Sequence, residues 1–166
     1  MDVDKLDFII KKFFVNSQVL NINLIDSGLI NKTYLVEHLY NGIKSKFILQ
    51  RLGNIFDSYE ILMKNHKLIT DHIIKKTNNN YFYNQRWEVP NLIRCKSNRL
   101  YTLSLDSEVW RAMSYIDKSF SFTSLENEKI AYEVGIGLSK FHFFCSDLDF
   151  PILKIVLRIF TIPITI

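Results

Sequence analysis

Apolar residues recur along the chain with two different spacings, and the spacing changes from one segment to the next. In residues 5–14, the helical spacing of the apolar residues places them on one stripe of a helix. Three short runs follow with the composition and alternation typical of strands, and they cover residues 21–26, 33–39 and 46–52. The turn pairs Ser27–Gly28 and Asn41–Gly42 join these runs, so the pattern predicts a three-stranded antiparallel meander.

The rest of the chain predicts a helix, further strands and a long final helix. Ser58 begins the helix, and the Asn-rich run 77–80 ends it. Residues 91–95, 100–105 and 109–116 have strand character. Ser124 is expected to begin the last helix, which ends near Asp147 and has an apolar face formed by Ile130, Ala131, Val134, Leu138, Phe141 and Phe144. This order predicts an α+β fold with an antiparallel sheet of about five strands.

Composition narrows the class of protein. The 166 residues are 48% hydrophobic and 23% charged, which excludes an intrinsically disordered chain. A net charge of +4 suits an anionic partner. Cys95 and Cys145 are too few for a disulfide scaffold, so a cytoplasmic location is expected. We expect no membrane partner, because the apolar stretch 151–166 is shorter than a spanning helix and contains Lys154 and Arg158.

Five strings of residues occur in one order along the chain and carry a resemblance to a known family. The strings are GLINKTYLVE, KFILQRLGNIF, LMKNHKLITDHI, WRAMSYID and AYEVGIGLSKFH. Together they resemble the aminoglycoside phosphotransferase and choline kinase superfamily, and most closely the sugar kinases typified by N-acetylhexosamine 1-kinase. The resemblance covers residues 13–149.

The resemblance implies a fold, a ligand and a reaction. Residues 1–116 would form a protein-kinase-like small lobe of one sheet and one helix. Residues 117–149 would form the hinge and the first helix of the large lobe, followed by an apolar tail over residues 150–166. A nucleotide would bind between the lobes. Intact relatives would use ATP and magnesium to phosphorylate a hydroxyl of a sugar or amino sugar.

The turn between the first two predicted strands is a candidate phosphate site. Gly28 would let backbone amides approach an anion, and Ser27, Asn31 and Thr33 offer hydrogen bonds. Lys32 adds a positive charge. The alternative is an ordinary hairpin turn, because one glycine is far less specific than a Gly-rich phosphate loop.

Kinase-like folds also use a cation on the third strand and a carboxylate on the helix that follows it. Here the strand carries Gln50 and Arg51, and strand alternation allows only one of them to face the cleft. Glu60 is the nearest acid on the helix, which leaves this ion pair in question. The resemblance also implies a hinge in which backbone groups of Ser114, Tyr115 and Ile116 bind the edge of a purine.

The catalytic elements of the family are missing from the sequence. Relatives carry a loop of the form H-G-D-x-x-x-x-N and a later Asp that holds magnesium, and neither occurs here. No residue is therefore assigned a catalytic or metal-binding role, and we expect an amino-terminal fragment that is inactive alone. An overlapping reading frame around Phe160 could encode a family string, so residues 150–166 are hypothesised to be frameshifted. A genuine short protein is the alternative.

Two other functions stay open from the sequence. The chain could be a stand-alone nucleotide-binding or regulatory module. It could also be a small basic nucleic-acid-binding protein, since residues 81–87 mix aromatic rings with a cation, although a packed connecting loop is the expectation. The histidines share no metal-ligand spacing. Without a large lobe, the apolar face within residues 130–144 is expected to be uncovered and to cause self-association.

Overall fold

Within its described residues, the chain folds into an antiparallel sheet with three helices, which confirms the predicted α+β class. The computed structural model describes residues 3–25, 28–78, 86–119, 122 and 124–148. The helices are α1 (Val3–Phe13), α2 (Tyr59–Asn78) and α3 (Glu128–Cys145). The strands are β1 (Gln18–Ile25), β2 (Lys32–Tyr40), β3 (Ile43–Arg51), β4 (Leu92–Ile93), β5 (Thr102–Leu103) and β6 (Val109–Ser114).

The strand order within the sheet is β1-β2-β3-β6-β4, and β5 also pairs with β6. The predicted meander is present as β1, β2 and β3. Asn41 and Gly42 join β2 to β3 with φ angles of 52° and 77°, and positive φ at both residues is what a type I′ hairpin turn requires. β6 then pairs with β3, so residues far apart in sequence become neighbours in the centre of the sheet.

Several boundaries differ from the sequence-based expectation. The sheet has six strands rather than about five, because a two-residue β5 pairs beside β6. β4 also has two residues, since Cys95 leaves the sheet to bond the carbonyl of Arg99. The last helix begins after Asn127 rather than at Ser124. The side chain of Asn127 accepts a hydrogen bond from the amide of Ile130, and this bond caps the helix.

The two faces of the sheet have different neighbours. The α1 face consists of alternate residues of β2, β3 and β6 that pack against the apolar stripe of α1. It includes Val36, Phe47, Leu49, Trp110 and Ala112. The other face is named here the α2 face, because His66 of α2 contacts it. It carries the intervening residues, which include Thr33, Leu35, Ile48, Gln50, Arg111 and Met113.

α3 is packed along only a small part of its surface. Phe144 is buried against the ring of Trp87, and its carbonyl lies 3.0 Å from Nε2 of His72. Val134 and Leu138 are each 55% exposed, so most of the predicted apolar face is uncovered by the described residues. Self-association through this face stays a prediction. Among the described residues, no helix combines the length and apolarity that crossing a bilayer requires.

His38 of β2 is enclosed at the end of the core near the β2–β3 turn. The side chain is 2% exposed, and its Nδ1 and Nε2 atoms lie 2.8 Å and 2.9 Å from the hydroxyls of Ser17 and Ser45. The rings of Phe14 and Phe47 meet it edge-on. Burial lowers the pKa of His38 below its ordinary value, so the neutral ring is the form that fits this site.

We predict that acidification destabilises the fold through His38. Because its pKa is lower in the folded chain, the unfolded chain takes up the proton first as the pH falls below about 6.5. The free energy of unfolding should therefore decrease from pH 7 towards pH 5, by at most about 1.4 kcal/mol per pH unit for this residue. Urea titrations at several pH values measure this slope.

Two variants isolate the contribution of His38. His38→Gln should make the slope shallower and leave the part that comes from His66, whose pKa burial also lowers. His142→Gln, at an exposed position of α3, should keep the full slope. An unchanged slope in His38→Gln would show that another group causes the effect.

Candidate functional site

A row of polar side chains crosses three neighbouring strands on the α2 face. Thr33 of β2 lies opposite Gln50 of β3, and Gln50 lies opposite Arg111 of β6. Directly opposed residues share a face of the sheet, so the register alone brings these three side chains together. We call Thr33, Gln50 and Arg111 the polar row.

Hydrogen bonds join the polar row into one network and anchor it to α2. Gln50 donates through Nε2 to the hydroxyl of Thr33 at 2.8 Å. Arg111 donates to Oε1 of Gln50 through Nε at 2.9 Å and through Nη2 at 2.8 Å. Nη1 of Arg111 lies 3.2 Å from Nδ1 of His66, and Nε2 of His66 lies 3.0 Å from the carbonyl of Pro90. Since a carbonyl only accepts and arginine only donates, His66 carries its proton on Nε2.

The network holds a positive charge among neutral partners. Burial lowers the pKa of Arg111 to about 10, so the guanidinium stays protonated at neutral pH. Burial also lowers the pKa of His66, and the neighbouring Arg111 charge adds to this effect, so the imidazole is neutral there. Within the described part of the chain, no carboxylate forms an ion pair with Arg111. Among the residues that the structure describes, the cation of the polar row is therefore not paired with a carboxylate.

An apolar row lies beside the polar row on the same face. Leu35 of β2 is opposite Ile48 of β3, and Ile48 is opposite Met113 of β6. Leu35 and Ile48 are half-buried, whereas Met113 is buried. Each member is two residues along its strand from a member of the polar row, a displacement of about 6.7 Å. The α2 face thus places an aliphatic surface next to a cation.

Arg51 lies on the α1 face, away from Gln50, as strand alternation predicted. Its Nη1 donates to Oε1 of Glu108 at 2.6 Å, and Lys5 of α1 lies 2.9 Å from the other oxygen of that carboxylate. Burial opposes ionisation of Glu108, yet the hydrogen bonds from Lys5 and Arg51 lower its carboxyl pKa overall. The carboxylate beside Arg51 is therefore Glu108. Glu60 of α2 instead pairs with Lys64 on an exposed part of that helix.

The turn before β2 is braced against the end of β3. Oδ1 of Asn31 accepts a hydrogen bond from the amide of Gly53 at 3.1 Å, so this side-chain oxygen has a structural partner. A Cβ atom on Gly28 would lie 2.7 Å from the carbonyl oxygen of Asn31, which explains why glycine is needed there. Lys32 is exposed and lies opposite Arg51, on the α1 side. Ser27 lies outside the described residues.

The expected hinge follows β6 directly. The amide of Ser114 donates to the carbonyl of Asn91 at 2.8 Å, and its hydroxyl accepts from the amide of Asn91. A purine could not use that amide without displacing this pair. Tyr115 lies under Nζ of Lys46, and the carbonyl of Ile116 accepts a bond from Ser119. These contacts position the segment beside the apolar row.

Sequence reasoning missed two members of the network, Arg111 and His66. Arg111 had a detectable signal, since it is the one charged residue in the strand VWRAMS and is flanked by buried Trp110 and Ala112. His66 lies within the helical pattern of α2 and shares no metal-ligand spacing with the other histidines. Its contact with Arg111 depends on how α2 lies against the sheet, which no local pattern specifies.

The stretch considered for nucleic-acid stacking is only partly described. Residues 81–85 lie outside the described residues. Arg86 pairs with Glu88 and donates to the carbonyl of Asp117, and Trp87 packs edge-on against Phe144. Both residues therefore have contacts that connect the loop to the rest of the fold.

No protein-family model and no curated protein sequence matches the chain. Within the described residues there is also no group of three or more His, Cys, Asp or Glu side chains that could hold a metal ion. What the site can bind follows from the two rows on the α2 face.

We predict opposite effects for the same substitution at two glycines. Gly28→Ala should lower the free energy of unfolding by about 1–3 kcal/mol, because the new methyl group overlaps the backbone of Asn31. Gly135→Ala should raise it by about 0.5–1 kcal/mol, because the site inside α3 is open and alanine favours a helix. Urea unfolding of both variants measures the difference. Equal effects would contradict the described geometry of the turn.

Proposed function

We propose that the chain binds a purine nucleotide on the α2 face and is the nucleotide-binding, amino-terminal part of an ATP-dependent sugar or amino-sugar phosphotransferase. The observation that carries this proposal is the placement of the apolar row beside the polar row. A nucleotide carries matching groups in the same order, because its apolar base face is joined through a ribose to anionic phosphates.

The apolar row suits the base. Leu35 and Ile48 are half-buried aliphatic side chains, and covering the rest of their surface with a flat ring removes more apolar area from water. The segment from Ser114 to Ile116 follows the same end of β6 and would supply backbone groups for the edge of the ring. The base would therefore lie across β2 and β3, close to the end of β6.

The polar row suits the phosphates. It lies about 6.7 Å along the strands from the apolar row, a separation on the scale of the ribose that joins a base to its phosphates. The charge of Arg111 is unpaired by any described carboxylate, and the hydroxyl of Thr33 adds a further hydrogen-bonding group. The braced turn from Gly28 to Asn31 directly precedes β2, so it lies at the end of the sheet where Thr33 begins the polar row.

The order of elements supports placing this site in a kinase-like small lobe. A meander of three strands, a helix, further strands and a final helix is the arrangement that the resemblance to sugar kinases implies. The sequence lacks the H-G-D-x-x-x-x-N loop. The proposal for these residues is therefore nucleotide binding rather than phosphoryl transfer. The acceptor sugar and the magnesium are what the resemblance implies for intact relatives.

We predict that ATP raises the melting temperature of the chain and that Leu35→Thr weakens this effect. Threonine removes one or two methyl-sized groups from the proposed base surface, each worth about 0.8 kcal/mol, so ATP affinity should fall roughly 4- to 15-fold. Thermal shift titrations with ATP, ADP and adenosine provide the affinities.

Leu24→Thr is the matched control. Leu24 is on β1 opposite Tyr34, so it lies on the α1 side, and the same change there should leave ATP binding unaltered. If ATP, ADP and adenosine all leave the melting temperature of the wild-type chain unchanged, the proposal is wrong. Salt-sensitive binding of single-stranded oligonucleotides without nucleotide binding would favour the nucleic-acid alternative.

A further inference from the structure

We propose that Arg111 of β6 is the residue that binds the phosphates, in place of a cation on β3. This inference rests on the proposed function, since it names the phosphate-binding group within the same site. It makes Arg111 a determinant of specificity for nucleotides over nucleosides. His66 and Gln50 act as positioning residues, which hold the guanidinium without neutralising it.

Arg51, the cation at the end of β3 that the resemblance suggests, is already paired on the other side of the sheet. Arg51 donates to Glu108 at 2.6 Å, and Lys5 of α1 lies 2.9 Å from the same carboxylate. A phosphate on the α2 face could not reach Arg51 without breaking this pair and turning the side chain through the sheet. Arg111 is next to Gln50 on the face where the apolar row lies.

The partners of Arg111 fix its orientation and leave donors available. A guanidinium has five N–H groups, and three of them are used in the contacts with Gln50 and His66. One N–H remains on each terminal nitrogen, and two such donors match the fork geometry that binds two oxygens of a phosphate. The side chain is therefore held in place before the ligand arrives, which reduces the entropy lost on binding.

Gln50 and His66 are neutral, so they leave the positive charge of Arg111 available to a phosphate. Gln50 contributes an amide oxygen, and His66 contributes the unprotonated Nδ1 atom of a neutral ring. A carboxylate in either place would attract the guanidinium more strongly and would also repel a phosphate. A half-buried arginine whose described partners are all neutral costs stability, and an anionic ligand compensates that cost when it binds.

The test compares three variants against three ligands. Arg111→Met removes the charge with little change in length. Gln50→Glu keeps the hydrogen bond to Arg111 but adds the missing carboxylate. Arg51→Met is the matched control on the α1 face. Each protein is titrated with ATP, adenosine and inorganic tripolyphosphate, and the melting temperature without ligand is measured for each.

We expect substitutions at the adjacent residues Gln50 and Arg51 to differ in their effect on ligand binding. Arg111→Met and Gln50→Glu should each weaken ATP and tripolyphosphate binding by about tenfold or more, with adenosine binding unchanged. Gln50→Glu should do so without lowering the melting temperature, because it creates an ion pair with Arg111. If Arg111→Met does not fold, Gln50→Glu alone tests the inference. Arg51→Met should bind all three ligands as the wild type does.

Each contrary outcome has a distinct meaning. If ATP and adenosine bind the wild-type chain equally well, or if only Arg51→Met weakens ATP binding, the inference about Arg111 is overturned and nucleotide binding stands. If the wild-type chain binds none of the three ligands, the inference and the proposed function both fail.

Discussion

The two-residue period of a β-strand is the constraint on which the rest of this structure depends. Gln50 and Arg51 are adjacent in sequence, yet the pleat sends them to opposite faces of β3. On one face, Arg51 joins the ion pairs that lie against α1. On the other, Gln50 connects Thr33 to Arg111, and no carboxylate of the described ranges pairs with the arginine. A slip of one residue in the pairing with β6 would exchange these environments and remove both the core and the candidate site.

The same constraint explains which features the sequence could predict. The stripe of α1, the turn at Asn41 and Gly42 and the start of α2 after Ser58 are local patterns, and each is present. The element boundaries that differ from the prediction lie where more than one residue could begin or end the element. Asn127 caps α3 in place of Ser124, and a turn at Cys95 shortens β4 after two residues. Asn and Ser are both good helix caps, so the residue types alone do not choose between Asn127 and Ser124.

The candidate site was only partly predictable for a related reason. The opposite orientations of Gln50 and Arg51 follow from strand alternation alone. The role of Arg111 requires knowing that β6 lies beside β3, a neighbour separated from it by α2, β4 and β5. The brace between Asn31 and Gly53 also joins two separate turns. Local patterns identify which residues could bind a phosphate, whereas the order of strands decides which of them share a face.

The most direct test of this account is to observe which face of the sheet responds to ATP. In NMR spectra of the labelled chain, ATP should shift the methyl signals of Leu35 and Ile48 and the Nε–H signal of Arg111. The methyl signals of Val36 and Leu49, on the α1 face, should change little. Shifts confined to Val36, Leu49 and the indole N–H of Trp110 would place the ligand on the wrong side of the sheet and contradict the account.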